Sequence, residues 1–126
     1  MPNFREQNGE IFVGGLTIQP LTVNVVANVN NLSINASDGS GQQSMVKLVN
    51  STGGSLNITG IVAPDDEGQF VFMQSSLTSD AAIVLKHLDG ASDAANQFNF
   101  ASGADVTIPR GGRCPVVYLD GKWCGN

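Results

Sequence analysis

Apolar residues in this chain fall at alternate positions over short runs, and turn-forming residues break the runs about every eight to twelve residues. Residues 21–27 (LTVNVVA) place Leu21, Val23 and Val25 on one side, the period of a half-buried strand. Leu32 and Ile34 alternate about Ser33, and a loop of composition NASDGSGQQ, with its tight turn expected at Asp38 and Gly39, precedes the run MVKLV. Leu56, Ile58 and Gly60 share a face. Residues 69–73 (QFVFM) put Phe70 and Phe72 on one side and Val71 and Met73 on the other, which predicts a central strand covered on both faces. Ile83, Leu85 and His87 align on one side of the next run. Phe98 and Phe100 flank Asn99, residues 105–108 (DVTI) form a short strand, and residues 116–119 lead through Asp120 and Gly121 into Lys122, Trp123 and Cys124. No stretch holds a helical period beyond two turns; residues 90–96 are expected to hold one helical turn, capped by Ser92 or Asp93.

About ten short strands with turns between them predict an all-β fold. The expected architecture is a single β-sandwich or jelly-roll-like domain of short antiparallel strands over residues 21–126. Residues 1–20 are expected to form an extended N-terminal arm: Pro2 and the polar run over residues 1–10 give neither helical nor strand period, residues 11–13 (IFV) make at most a short strand stopped by Gly14 and Gly15, and Pro20 breaks the alternation of Leu16, Thr17 and Ile18. Phe4, Ile11 and Phe12 are its apolar positions. The segment GSLNITGI echoes NNLSINAS, and that likeness is read as chance between two short polar strands, so no internal repeat is expected.

Composition narrows the function classes. The 126 residues suit one domain, large enough to fold without a metal or a disulfide. Only 13% are charged, against about 25% in an ordinary domain; Asn, Ser, Thr, Gln and Gly stand in their place. The net charge is −5 with six Lys plus Arg, so the basic stripe of a nucleic-acid binder is missing, and an anionic membrane is disfavoured for the same reason. No apolar run approaches the ~20 residues of a membrane span. The first residues lack an apolar signal-peptide core, so synthesis in the cytosol is expected. The sequons at Asn31, Asn35, Asn50 and Asn57 are then by-products of composition.

Asp120-Gly121 is a strong two-residue hairpin signal. It pairs Leu119 with Lys122, Tyr118 with Trp123 and Val117 with Cys124. Cys114 then lies about 10 Å along the strand from Cys124's partner, beyond the ~7 Å Cα separation a disulfide allows. Two free thiols are expected, and with His87 as the one imidazole they cannot complete a four-ligand zinc site. A Ser-His-Asp triad would have to combine His87 with Ser92 and Asp89 or Asp93, without a Gly-x-Ser-x-Gly elbow. The alternation with Ile83 and Leu85 instead points His87 inward, bonded to backbone or to Asn96. Asp65, Asp66 and Glu67 lack the spacing of a calcium loop and read as a solvated turn. No catalytic, cofactor or metal residue is therefore expected. Tyr118 and Trp123 face each other, either as a pair capping the core or as a shallow platform for a sugar.

The C-terminal half carries a resemblance. Leu85, Lys86 and His87 end a strand, and a Ser/Ala/Asn-rich insertion runs from Ser92 through Asn96 to Phe98. Gly103, Ala104 and Asp105 open the next strand, Pro109 to Gly112 form a turn, and Tyr118, Asp120, Gly121 and Trp123 close the chain. With the upstream run LNITGI, this resembles the small β-structured modules of tailed-bacteriophage virion proteins, found in capsid decoration and head-fibre proteins and in tail fibres. The match runs from near Leu56 to the end, with Leu119 inserted between Tyr118 and Asp120 and with two cysteines as departures.

The resemblance implies a non-enzymatic virion protein, often trimeric, made in the host cytoplasm. With no coiled-coil or repeat stalk, the first expectation is a capsid decoration protein whose partner is the major capsid protein. Phe4, Arg5, Ile11 and Phe12 in the arm are the expected interface residues. His87, Asn96, Phe98, Asp120 and Gly121 are expected to anchor the fold. The alternative is a tail-fibre or receptor-binding module that recognises a bacterial surface glycan through Tyr118 and Trp123.

Overall fold

The computed structural model describes residues 18–36 and 41–125. The expected interface residues Phe4, Arg5, Ile11 and Phe12, and the turn expected at Asp38 and Gly39, lie outside the described residues.

The described residues are almost entirely strand and turn. Nine strands follow in order: β1 (Leu21–Asn24), β2 (Met45–Val49), β3 (Leu56–Ile58), β4 (Phe70–Ser75), β5 (Ile83–Leu85), β6 (Phe98–Phe100), β7 (Val106–Ile108), β8 (Arg113–Leu119) and β9 (Lys122–Gly125). One 3-10 turn, Ala94–Asn96, sits between β5 and β6. The helical turn expected there is present, but Ser92 and Asp93 do not cap it; the Ser92 hydroxyl is committed to Thr59 and Asn31 instead.

The strands form a six-stranded sheet in the order β1-β2-β4-β8-β9-β6 and a three-stranded sheet in the order β3-β5-β7. The antiparallel expectation is corrected. Four of the seven pairings are parallel (β1–β2, β2–β4, β3–β5, β6–β9), and three are antiparallel (β4–β8, β5–β7, β8–β9). Early in the chain, successive strands alternate between the two sheets. Val23 lies beside Leu48 and Leu48 beside Ser75 in the large sheet; Val29 bridges Ile58 and Ile58 lies beside Leu85 in the small one. Parallel neighbours need a long return path, and here the other sheet supplies it. The echo between residues near Leu32 and Leu56 marks two such passes, but not their register: Leu32 bridges Ile61.

Both sheets face one core, in which Leu48, Ile58, Met73, Ile83, Leu85, Phe98, Phe100 and Trp123 are fully buried. Burial of each contributes about 1.5–3 kcal/mol. Strand β4 is central in its sheet, as expected, yet it is covered on one side only. Val71, Met73 and Ser75 point inward, while Phe70 is 49% exposed and Phe72 is half-buried. Strand β8 begins earlier than expected and contains Pro115. Tyr118 and its even-numbered neighbours carry the bonds to β4 (the Tyr118 N–H donates to the Gln69 carbonyl), so the missing proline N–H costs no bond to that strand.

Candidate functional site

His87 follows β5 with its side chain half-buried beside Phe100, 6.3 Å between ring centres. Its Nδ1 accepts the Phe100 N–H at 3.0 Å, and its own N–H donates to Asp105 Oδ1 at 2.8 Å. The backbone partner expected for this histidine is present; Asn96 is not its partner. Asp105 also pairs with Lys86 at 2.8 Å. The Lys86 ammonium, then the His87 N–H, hold the Asp105 carboxyl below the usual carboxylate range, and Asp105 in turn raises the Lys86 ammonium above its usual range. Strands β5, β6 and β7 are thus tied together at one end by charge and imidazole.

The formal triad is not assembled. Ser92 Oγ lies 2.6 Å from Thr59 Oγ1 and accepts the Asn31 N–H at 2.9 Å. Asp89 Oδ1 accepts the Ala91 N–H, closing a local turn. Asn96 donates to Asn31 Oδ1 and accepts from the Ala63 N–H, so it anchors residues far apart in sequence, though not through His87. This polar knot leaves no room beside Gly60: a Cβ there would meet the Asn96 carbonyl oxygen at 2.4 Å and Ser92 Oγ at 2.7 Å. Asn31 itself adopts a positive φ of 52°, which asparagine tolerates better than most residues. Among the described residues no group of three or more His, Cys, Asp or Glu is arranged to hold a metal.

The hairpin has the expected register, with Val117 opposite Cys124, Tyr118 opposite Trp123 and Leu119 opposite Lys122. Asp120 and Gly121 both take positive φ, 56° and 76°, the geometry of a tight hairpin turn. Both cysteines are free; Cys114 points into the core opposite Met73, and burial pushes its thiol above the usual range.

The sugar platform is corrected. Trp123 has no exposed surface, and its Nε1 donates to the Ile61 carbonyl at 2.8 Å. Tyr118 packs edge-on against it at 5.1 Å and donates its hydroxyl to the Ala95 carbonyl. Burial first, then the charge of Glu67, raises the Tyr118 phenol above its usual range. A ring that is walled in on all sides offers no face to a sugar, so this pair caps the core.

The exposed feature that sequence reasoning missed is the outward face of the six-stranded sheet. Phe70 and Phe72 lie there with Met45, Pro115, Val117 and Leu119. The signal was present in the alternation of residues 69–73, but two apolar sides do not say which one the core takes. The acidic turn Asp65, Asp66 and Glu67 is exposed, and Glu67 accepts the Asp120 N–H at 2.7 Å. It lines an open groove of about 640 Å³ together with Gln42, Val62 and Pro64. No family model, curated protein or solved structure matches the chain.

Proposed function

We propose that this chain is a non-enzymatic structural protein of a tailed-phage virion, a decoration protein held on the outer surface of the capsid. The observation that carries the reading is that the segments bearing the phage-module resemblance interlock as one bonded unit. Lys86 pairs with Asp105, His87 accepts from Phe100, Tyr118 donates to Ala95 and Lys122 donates to the Ala94 carbonyl. His87 Nδ1 accepts from Phe100 and Ser92 Oγ is bonded to Thr59 and Asn31, so the formal Ser-His-Asp set is not assembled, which supports a structural role.

The architecture fits a short β-solenoid-like stack closed by the β8–β9 hairpin better than a jelly-roll sandwich. Its support is the alternation of passes between two sheets at a spacing of about 25–29 residues. On this reading the body is a rigid block, and the arm over residues 1–20 holds the major capsid protein through Phe4, Arg5, Ile11 and Phe12. The subunits act as a homotrimer in the virion after synthesis in the host cytoplasm.

The test is binding to empty capsids of the phage that encodes the chain. The full chain is expected to bind saturably, and deletion of residues 1–19 to abolish binding with the far-ultraviolet circular dichroism unchanged. Failure of the full chain to bind overturns the decoration role, and capsid binding by the truncated protein overturns the role of the arm.

A further inference from the structure

The outward face of the six-stranded sheet combines apolar and basic groups in an otherwise acidic protein. Cross-strand register places Lys47 beside Gln74 and Gln74 beside Arg113, next to the row Met45, Phe72 and Pro115. Phe70 and Leu119 remain 49% and 42% exposed. Lys122 stands at the corner of the same face and donates to Ala94. No Asp or Glu belongs to this face among the described strands, although the whole chain has net charge −5. The exposed apolar residues lie between Lys47 and Arg113 at one end of the face and Glu67 and Asp120 at the other, a charge pattern that suits a partner of complementary charge.

The chain carries such a partner surface itself. Asp65, Asp66 and Glu67 are exposed, Asp120 is held beside them through Glu67, and the adjoining groove is lined by Val62 and Pro64. Two copies meeting face to face with like ends together would set Lys47 and Arg113 against their own kind. A head-to-tail contact sets them against carboxylates and removes Phe70 and Phe72 from water. We propose that the Phe70–Phe72 face of one copy docks on the acidic turn and groove of a second copy of this chain. Such a contact is heterologous, so it closes into a ring or propagates. It does not depend on the capsid reading, and its test contains no capsid.

Sedimentation velocity of the full chain measures the contact, over a range of concentrations and at about 0.1 M and about 1 M salt. Association is expected to rise with concentration and to weaken at high salt. Two variants separate the surfaces: Lys47→Glu with Arg113→Glu reverses the face, and Asp65→Lys with Asp66→Lys reverses the turn. All four side chains are exposed, so circular dichroism and melting temperature should match the parent. Each variant alone is expected to associate at least about tenfold more weakly, and an equimolar mixture of the two to associate again, because each then offers the other a complementary surface. A protein that stays monomeric at all concentrations overturns the proposal. So does association that ignores both reversals, or a mixture that fails to recover.

Discussion

Asp105 shows how a single surface residue is made to matter. Its carboxylate accepts from Lys86 Nζ and from the His87 N–H at once, and these two donors depress its pKa below the value of an unfolded chain. A carboxyl depressed in the fold contributes stability that is present above its unfolded pKa, about 3.9, and is lost as pH falls through the lower folded pKa. Asp105→Asn is therefore expected to be less stable than the parent at pH 7, with the difference closing in the acid range below about pH 4. Urea denaturation at pH 7 and again in acid measures this; a gap of constant size would show that the effect is not the carboxylate's charge. His87 belongs to the same tie, because its Nδ1 is the acceptor that the Phe100 N–H has. The one histidine in the chain thus reads as a fastening between β6 and the end of β5.

At the scale of elements, the β8–β9 hairpin is the most local piece of the fold and the one most legible in advance. Its register follows from Asp120 and Gly121, and the observed pairs are those the turn demands. Gly121 holds φ at 76° with open space where a Cβ would stand. Gly121→Ala therefore meets no clash, and its cost is conformational alone, about 1–2 kcal/mol. Chemical denaturation should show that loss with an unchanged m-value; a loss below about 0.5 kcal/mol would mean that the turn relaxes into another type. Most strand positions were legible for the same reason as the hairpin, since alternation and turn residues act over a few neighbours, although the alternation of Leu32 and Ile34 yields only the isolated bridge at Leu32. The order of the strands was not. Side chains alternate identically in parallel and antiparallel strands, and Val23, Leu48 and Ser75 come together only through long passes across the other sheet. The bare side of β4 and the burial of Trp123 were illegible likewise, because an apolar residue does not declare which surface covers it. Asn50 is a further case: a sequon asparagine by sequence, it is fully buried, donating to the Gly54 and Ala82 carbonyls, where no glycan fits.

The whole molecule inherits the consequences of that order. In the large sheet, β4 is bonded on both sides, to β2 and to β8, and its inward residues Val71, Met73 and Ser75 have no exposed surface. Among the described strands, β1 has β2 as its one sheet neighbour, and its Leu21 and Val23 are only half-buried. A stack held by neighbour contacts opens from its least-covered layer, because opening there exposes the least apolar surface and breaks the fewest bonds. Native-state hydrogen exchange is therefore expected to run fastest in β1, and slowest in β4 and β8. The backbone bond from the Val25 N–H to the Val49 carbonyl should open before that from the Tyr118 N–H to the Gln69 carbonyl. Under increasing urea the two rates should converge only as global unfolding takes over. Equal protection of β1 and β4 in the absence of urea would overturn the layered picture, and would mean that the molecule opens as one unit.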